Sequence, residues 1–162
     1  MPETFDQYIF SPVGWLKIST TQKALVSISF VEEEGKSSTS QPAVMEEVIL
    51  QLNEYFDGTR LVFDIPLDPE GTDFQKKVWQ LVSIVPFGET VSYLDIAILS
   101  GSEKNTRAVG LANGKNPIPV IIPCHRIIGS NGKLTGYAGG LDKKRWLLQH
   151  ELRYGGKNSL LF

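Results

Sequence analysis

An α+β chain in two parts is predicted by three observations. Two β-patterned segments and one amphipathic helix fill the first half, a Pro/Gly-rich break follows near residue 70, and the second half carries short, separately capped helices.

In the first half, DQYIFSPVGWLKIST (6–20) and KALVSISFV (23–31) read as strands, the second alternating Val26, Ile28 and Phe30 with Ser27 and Ser29. EEEGKSSTSQ (32–41) is a polar loop that ends at Pro42, whose restricted φ suits the first helical position. The following helix places Val44, Val48, Leu52 and Phe56 on one face, and Gly58 lies just past its end. RLVFDIPL (60–67) is expected to return as a strand. No reactive groups cluster in this half, so scaffolding is its expected role.

PLDPEGT, rich in Pro, Gly and acid, marks the break. It divides the chain into a domain over 1–65, a linker over 66–71, a second domain over 72–154 and a tail over 155–162. Thr72 and Gln75 form a capping box for a helix with Phe74, Val78, Leu81, Val82 and Val85 at helical spacing, which VPFG ends. A short helix capped by Ser92, with Asp95 three residues on and Gly101 at its end, comes next. A second is capped by Ser102 and stopped at Gly114. Two short helices across a brief Gly/Ser turn are a helix-turn-helix pattern. In KNPIPVIIPCHRII three prolines in seven residues forbid regular helix and predict an extended path into Cys124. GSNGKLTGYAGG (129–140) is a glycine-rich loop with a small hairpin turn expected at Asn131-Gly132. A last helix, capped by Asp142, carries Trp146 and Leu147.

The 162 residues are 41% hydrophobic, yet no apolar run approaches the roughly 20 residues that span a membrane. Acids stand near the start where an export signal carries basic residues, and a single cysteine favours a reducing interior; both predict a cytoplasmic protein. One Cys and two His are too few for the usual structural zinc sites, so no metal or other cofactor is expected. Residues 1–71 hold 4 Lys/Arg against 12 Asp/Glu, a net of −8, whereas residues 72–162 hold 12 against 6, a net of +6. The basic half suits a polyanion partner.

That only cysteine, Cys124, is followed directly by one of the two histidines in IPCHRIIG. Free cysteines are commonly buried and inert. Cys124 differs in three ways: it sits on a proline-braced turn outside any periodic apolar stripe, His125 and Arg126 adjoin it, and a glycine-rich loop lies just downstream. Neighbouring positive charge lowers a thiol pKa and enriches the thiolate. An activated nucleophile needs a base, and the base an orienting group. His125 is the candidate base, acting through a water because adjacent side chains rarely face each other; Glu151 on the last helix is a candidate to hold the imidazole.

IPCHRIIG, RAVGLANGKNP, SY, TGYAGG and WLLQHE together resemble the O6-alkylguanine-DNA alkyltransferases of the bacterial constitutive type, in unbroken order from Thr72 to about Glu151. Residues 1–65 match in strand and helix order only. The resemblance implies a ribonuclease-H-like N-terminal domain without nuclease activity and a mainly helical C-terminal domain with a winged-helix-like helix-turn-helix. It implies direct repair of double-stranded DNA: a flipped O6-alkylguanine, or O4-alkylthymine, enters a pocket and loses its alkyl group irreversibly to the cysteine.

On that resemblance Cys124 is the alkyl acceptor, His125 passes the thiol proton away through water, Glu151 polarises His125, and Asn116 braces the turn. Tyr93 donates to the base as guanine leaves and crowds the adjoining phosphate. Arg107 fills the space vacated by the flipped base. The backbone of Cys124 and Ile127 accepts from the guanine amino group, the Ala138 amide faces O6, and Pro119, Tyr137 and Gly139 wall the pocket. The second helix enters the minor groove, largely without sequence preference, where the small Ala108, Gly110 and Ala112 allow close approach. Gln75, Ser102 and Ser130 occupy positions that touch the DNA backbone. Asn113 stands where some relatives carry a larger apolar residue, with an effect on groove packing, and Ala138 where others have serine. Arg126 is expected in a buried ion pair that holds the turn. Some relatives bind a structural zinc through N-terminal Cys and His; residues 1–71 contain neither, so no zinc is expected here, and no membrane or obligate protein partner is implied. The competing readings are a non-catalytic alkylation-damage sensor, against which the presence of Cys124 argues, a Cys-His hydrolase, and a sequence-specific transcription factor.

Overall fold

The computed structural model describes residues 2–155, in two compact units that divide between Glu70 and Gly71. The tail expected over 155–162 lies outside the described residues except for Gly155, which ends the last helix.

The first unit is an antiparallel sheet with one helix packed on it. Its strands β1 (Phe5–Ser11), β2 (Gly14–Thr20) and β3 (Leu25–Val31) lie in the order β1-β2-β3. The first predicted strand segment is thus a hairpin: Ser11 pairs with Gly14 around Pro12-Val13, and the Ser11 hydroxyl takes the Val13 amide and donates to the Gly14 carbonyl. On β3 the pairing passes from Ser19↔Ser27 to Thr20↔Leu25, so Val26 is an extra residue. This bulge interrupts strict alternation and buries Leu25 with Ile28, instead of the predicted Val26, Ile28 and Phe30 as a set.

Helix α1 (Ala43–Asp57) starts one residue later than predicted, leaving Pro42 as its extended N-cap, and ends at Gly58 with φ 84°. Its buried face is Met45, Val48, Gln51, Leu52 and Tyr55, a spacing of three and four that follows the 3.6-residue period better than the predicted Val44–Val48–Leu52–Phe56 row. Residues 60–67 form no strand; only Leu67 bridges to Leu25. Pro66 lacks an N–H, and the Asp64 backbone is satisfied at both ends by the buried Gln51 amide. Residues 66–68, read as linker, are tied to this unit: Leu25 N donates to Pro66 O and Asp68 N to Leu25 O.

In the second unit α2 (Asp73–Ser83) opens with the full Thr72/Gln75 capping box, and α3 (Tyr93–Ser100) with the Ser92/Asp95 box. After Gly101, Ser102 caps a 3-10 turn, Glu103–Asn105, and only then does α4 (Thr106–Gly114) begin. Trp79 of α2 donates its indole N–H to Ala112 O on α4 at 2.8 Å, and Lys77 its ammonium to Ser100 O at 2.9 Å, locking the helix-turn-helix onto α2. Two-residue strands β4 (Val91–Ser92) and β5 (Ile127–Ile128) pair in parallel. This pairing sets the start of α3 beside the residues after Cys124. The glycine-rich loop turns at Gly132 (φ 80°) but carries no hairpin strands. Helix α5 (Leu141–Gly155) begins before Asp142, which therefore lies in its first turn and not at the cap. Among the described residues no helix is long and apolar enough to cross a membrane.

Candidate active site

The segment between α4 and Cys124 is a compact series of turns, not the extended path that its prolines predict. Pro117 and Pro119 do exclude helix, but the buried Asn116 folds the chain back on itself: its Oδ1 accepts from Ile118 N at 2.9 Å and its Nδ2 donates to Ile122 O at 2.8 Å. Ile122 N also closes onto Ile118 O. Val120, at φ 74°, is the one non-glycine residue of positive φ among the described residues. A β-branched residue there costs about 1–2 kcal/mol, offset by complete burial of its side chain. Pro123 then leads into a 3-10 turn, Cys124–Arg126, whose three side chains are all buried. Asn113, in the last turn of α4, donates its Nδ2 to Cys124 O at 3.2 Å.

Glu151 on α5 joins this turn to the rest of the unit. Its Oε2 meets His125 Nε2 at 2.6 Å, and both its oxygens accept from Arg126, Nε at 2.8 Å and Nη2 at 3.0 Å. Gly88 N adds a bond at 3.2 Å; with φ 82° and the Glu151 backbone 3.4 Å from any added Cβ, this position needs glycine. The remaining Arg126 nitrogen donates to Val85 O at 2.7 Å. Arg126 is therefore spent on a buried bidentate pair.

The ionisation states follow. Burial alone raises the Glu151 pKa, but His125 and Arg126 overcome it and hold the carboxyl well below its usual range. Burial pulls His125 down against the attraction of Glu151, so the imidazole is neutral at rest. A carboxylate only accepts, so Nε2 carries the ring proton and Nδ1 is the basic nitrogen. Nδ1 is buried and has no protein partner among the described residues. The expectation that His125 and Arg126 enrich the Cys124 thiolate is corrected: burial pushes the thiol pKa up, while a hydrogen bond from Asn116 and the charge of Lys144 oppose it. The reason is that Glu151 cancels the Arg126 charge and the imidazole carries none.

Around this core the β4–β5 pairing sets Tyr93 near the loop, and its hydroxyl lies 2.8 Å from Thr135 Oγ1. Pro119 and Ile127 are buried, Tyr137 and Gly139 half-buried, and Ala138 exposed. Burial, then the negative charges of Cys124 and Glu151, raises the Tyr137 pKa well above its usual value. Lys104 of the 3-10 turn, Arg107, Ala108 and Leu111 of α4, and Lys115 just past its end are exposed.

Three positions assigned to the groove are placed differently. Ala112 is buried under Trp79, and Gly110 lies against α3, where an added Cβ meets the Tyr93 ring at 3.8 Å. Asn113 is 5% exposed and directed to the Cys124 carbonyl, so its polarity serves the turn and not a groove. Gln75 and Ser102 use their side-chain oxygens in caps, and Ser130 is exposed. Trp146 stacks on His150 at 4.8 Å between centroids.

Sequence reasoning missed Lys144. Its Nζ, fully buried, donates to Ile127 O and to Thr135 O, both at 2.7 Å. The available signal was spacing: Lys144, Leu147 and Glu151 share one helical face, and a lysine on an apolar stripe asks for a partner. Among the described residues no cluster of three or more His, Cys, Asp or Glu is arranged to hold a metal.

Two family profiles match the chain: "6-O-methylguanine DNA methyltransferase, ribonuclease-like domain" over residues 5–69 and "6-O-methylguanine DNA methyltransferase, DNA binding domain" over residues 73–153. A methylated-DNA–protein-cysteine methyltransferase of Methanosarcina barkeri is 47% identical over 150 residues, covering 88% of this chain and 94% of that one. The crystal structure of Mycobacterium tuberculosis O6-methylguanine methyltransferase superposes with a TM-score of 0.85 at 42% identity, covering 99% of both chains. The structure of M. tuberculosis OGT in complex with DNA superposes with a TM-score of 0.81 at 46% identity, covering 89% of this chain and 90% of that one.

Proposed function

From the premise that this chain belongs to the 6-O-methylguanine DNA methyltransferase family, we propose that Cys124 is the atom bearer of its repair reaction, taking the alkyl group from O6-alkylguanine in DNA. The observation that carries this assignment is the buried array Asn116–Cys124–His125–Glu151–Arg126, in which a lone thiol adjoins a neutral, oriented imidazole.

The chemistry follows from the resting ionisation. Cys124 waits as a thiol; on substrate entry its proton passes through a water to His125 Nδ1, and Glu151 stabilises the imidazolium. The thiolate attacks the carbon on O6 in line, the C–S bond forming as the C–O bond breaks. The bonding pair stays on the guanine oxygen, and the proton released by the thiol is delivered to the departing base. Tyr93 donates a hydrogen bond, not a proton, to that base. A thioether is not hydrolysed in water at neutral pH, so each chain acts once.

DNA is the partner. We assign the exposed face of α4 to it, with Arg107 as the wedge that replaces the flipped base, in the minor groove and largely without sequence preference. Lys104, Arg107 and Lys115 give this face positive charge, Ala108 permits close approach, and unstacking costs a few kcal/mol that a wedge offsets. The carbonyls of Cys124 and Ile127 meet the base amino group beside their existing donors, since a carbonyl accepts two bonds. Pro119, Tyr137, Ala138 and Gly139 complete the pocket, with Gln75, Ser102 and Ser130 near the phosphates.

A sensor that only marks lesions has no use for a nucleophile, and this chain carries Cys124. The test is mass measurement of the Cys124 peptide after incubation with duplex DNA containing O6-methylguanine. One methyl group per chain is expected; none added sinks the assignment.

A further inference from the structure

The sheet of the first unit has one buried face and one open one. Leu16, Ile18 and Thr20 of β2 are buried, so Trp15, Lys17 and Ser19, alternating with them, lie on the other face. The strand register sets Phe10 and Val31 on either side of Trp15, and Tyr8 beside Lys17. Phe10 meets the Trp15 ring edge to face at 5.2 Å between centroids, yet remains 69% exposed. A contiguous apolar row in this position marks an interaction surface more than it stabilises the fold.

The backbone beside this row is open as well. β1 is an edge strand, and Asp6 turns both its backbone groups outward: its N–H donates to Ser38 Oγ at 2.9 Å, and its carbonyl accepts from Ser38 N at 2.8 Å. Along an antiparallel strand this orientation recurs at every second residue, so Tyr8 and Phe10 point theirs the same way. Among the described residues nothing bonds to those outward groups, and such an edge is a template for another strand.

Charge selects the occupant. The loop that leaves β3 after Val31 returns to β1, with Gly35 against the Tyr8 phenol and Ser38 on Asp6. Its exposed Glu32, Glu33 and Glu34 therefore stand beside the aromatic row, and Lys36 is the single cation of residues 32–41. Residues 1–71 as a whole carry a net of −8. Such a face repels phosphates and attracts a cationic chain. An extended chain added at a sheet edge gains main-chain hydrogen bonds and sets every second side chain on the exposed row.

We propose that the outer edge of β1 is a docking site for an extended, basic segment of another protein. That segment adds a strand beside Tyr8 and Phe10, packs alternate apolar side chains on Phe10 and Trp15, and sets its lysines or arginines against Glu32, Glu33 and Glu34. The site uses no residue of the alkyl-transfer chemistry and stands apart from the assignment of Cys124.

The test is fluorescence anisotropy with the full chain and a fluorescein-labelled peptide that alternates lysine with valine. The peptide should bind, and its counterpart with glutamate for lysine should not. Phe10→Ser should weaken binding by about tenfold or more while methyl transfer from an O6-methylguanine duplex keeps its wild-type rate. The combined Glu32→Gln, Glu33→Gln and Glu34→Gln variant should bind more weakly, with a shallower dependence on salt. N-methylation of the peptide amides that face β1 should abolish binding, and that arm needs no variant to fold. A lysine peptide that does not bind overturns the proposal, as does binding that survives both N-methylation and Phe10→Ser. Sedimentation showing a dimer of the chain that Phe10→Ser dissociates also overturns it, because a second copy is then the occupant.

Discussion

His125 Nε2 lies 2.6 Å from Glu151 Oε2, and the same carboxylate is gripped on its other edge by Arg126. One buried anion thus fixes the imidazole tautomer, balances a guanidinium and pins the nucleophile's turn to α5.

Glu151→Gln leaves Arg126 buried and unpaired. Unfolding free energy at neutral pH is expected to fall by about 3–5 kcal/mol, measured by urea denaturation. Because the folded Glu151 pKa lies below the unfolded one, its stabilisation is complete above the unfolded value, about 4.3, and is lost as pH falls toward the folded one. The variant should therefore lose less stability than wild type between neutral and acid pH. An equal acid slope in both chains counts against the pairing.

Cys124→Ser should still bind an O6-methylguanine duplex in a gel-shift assay, since the α4 face is untouched, but no methyl should appear on the protein. Methyl found elsewhere in the chain refutes Cys124 as acceptor.

Arg107→Ala removes an exposed helical residue and should leave the melting temperature within a degree or two. Its transfer rate from duplex DNA is expected to fall by on the order of tenfold to a hundredfold, the equivalent of about 1.4–2.8 kcal/mol. Transfer from the free alkylated base should change little. Equal losses on both substrates rule out a wedge.

Asn116→Ala should cost more than Asn113→Leu. The first releases the Ile118 amide and the Ile122 carbonyl together, about 2–3 kcal/mol, and slows transfer by loosening the turn. The second frees the Cys124 carbonyl but also removes a buried Oδ1 that has no partner among the described residues, so its net cost should stay near 1 kcal/mol. Thermal unfolding of the two variants ranks them, and the reverse order contradicts this account of the turn.

Local chemistry was legible where it is local. The Thr72/Gln75 and Ser92/Asp95 boxes and the Gly58 stop depend on residues within four positions, and each stands where the pattern set it. The strand predicted over 60–67 and the extended path before Cys124 failed for one reason: buried Gln51 and Asn116 satisfy those backbones in place of regular structure. Gln51 lies outside the segment it controls, and Asn116, though within its own, folds the chain through contacts two and six residues away that the prolines do not announce.

The sequence by itself determined the two-part α+β plan, the capped helices and a cysteine whose motif names a family. The tertiary structure decided the state of that cysteine. Burial raises its pKa, Glu151 takes up Arg126 across 25 residues of chain, and Lys144 on α5 donates to the Ile127 carbonyl just past the nucleophile's turn. Charges adjacent in sequence promise an activated thiol, but solvation and pairing decide ionisation, and both exist only once the chain has folded.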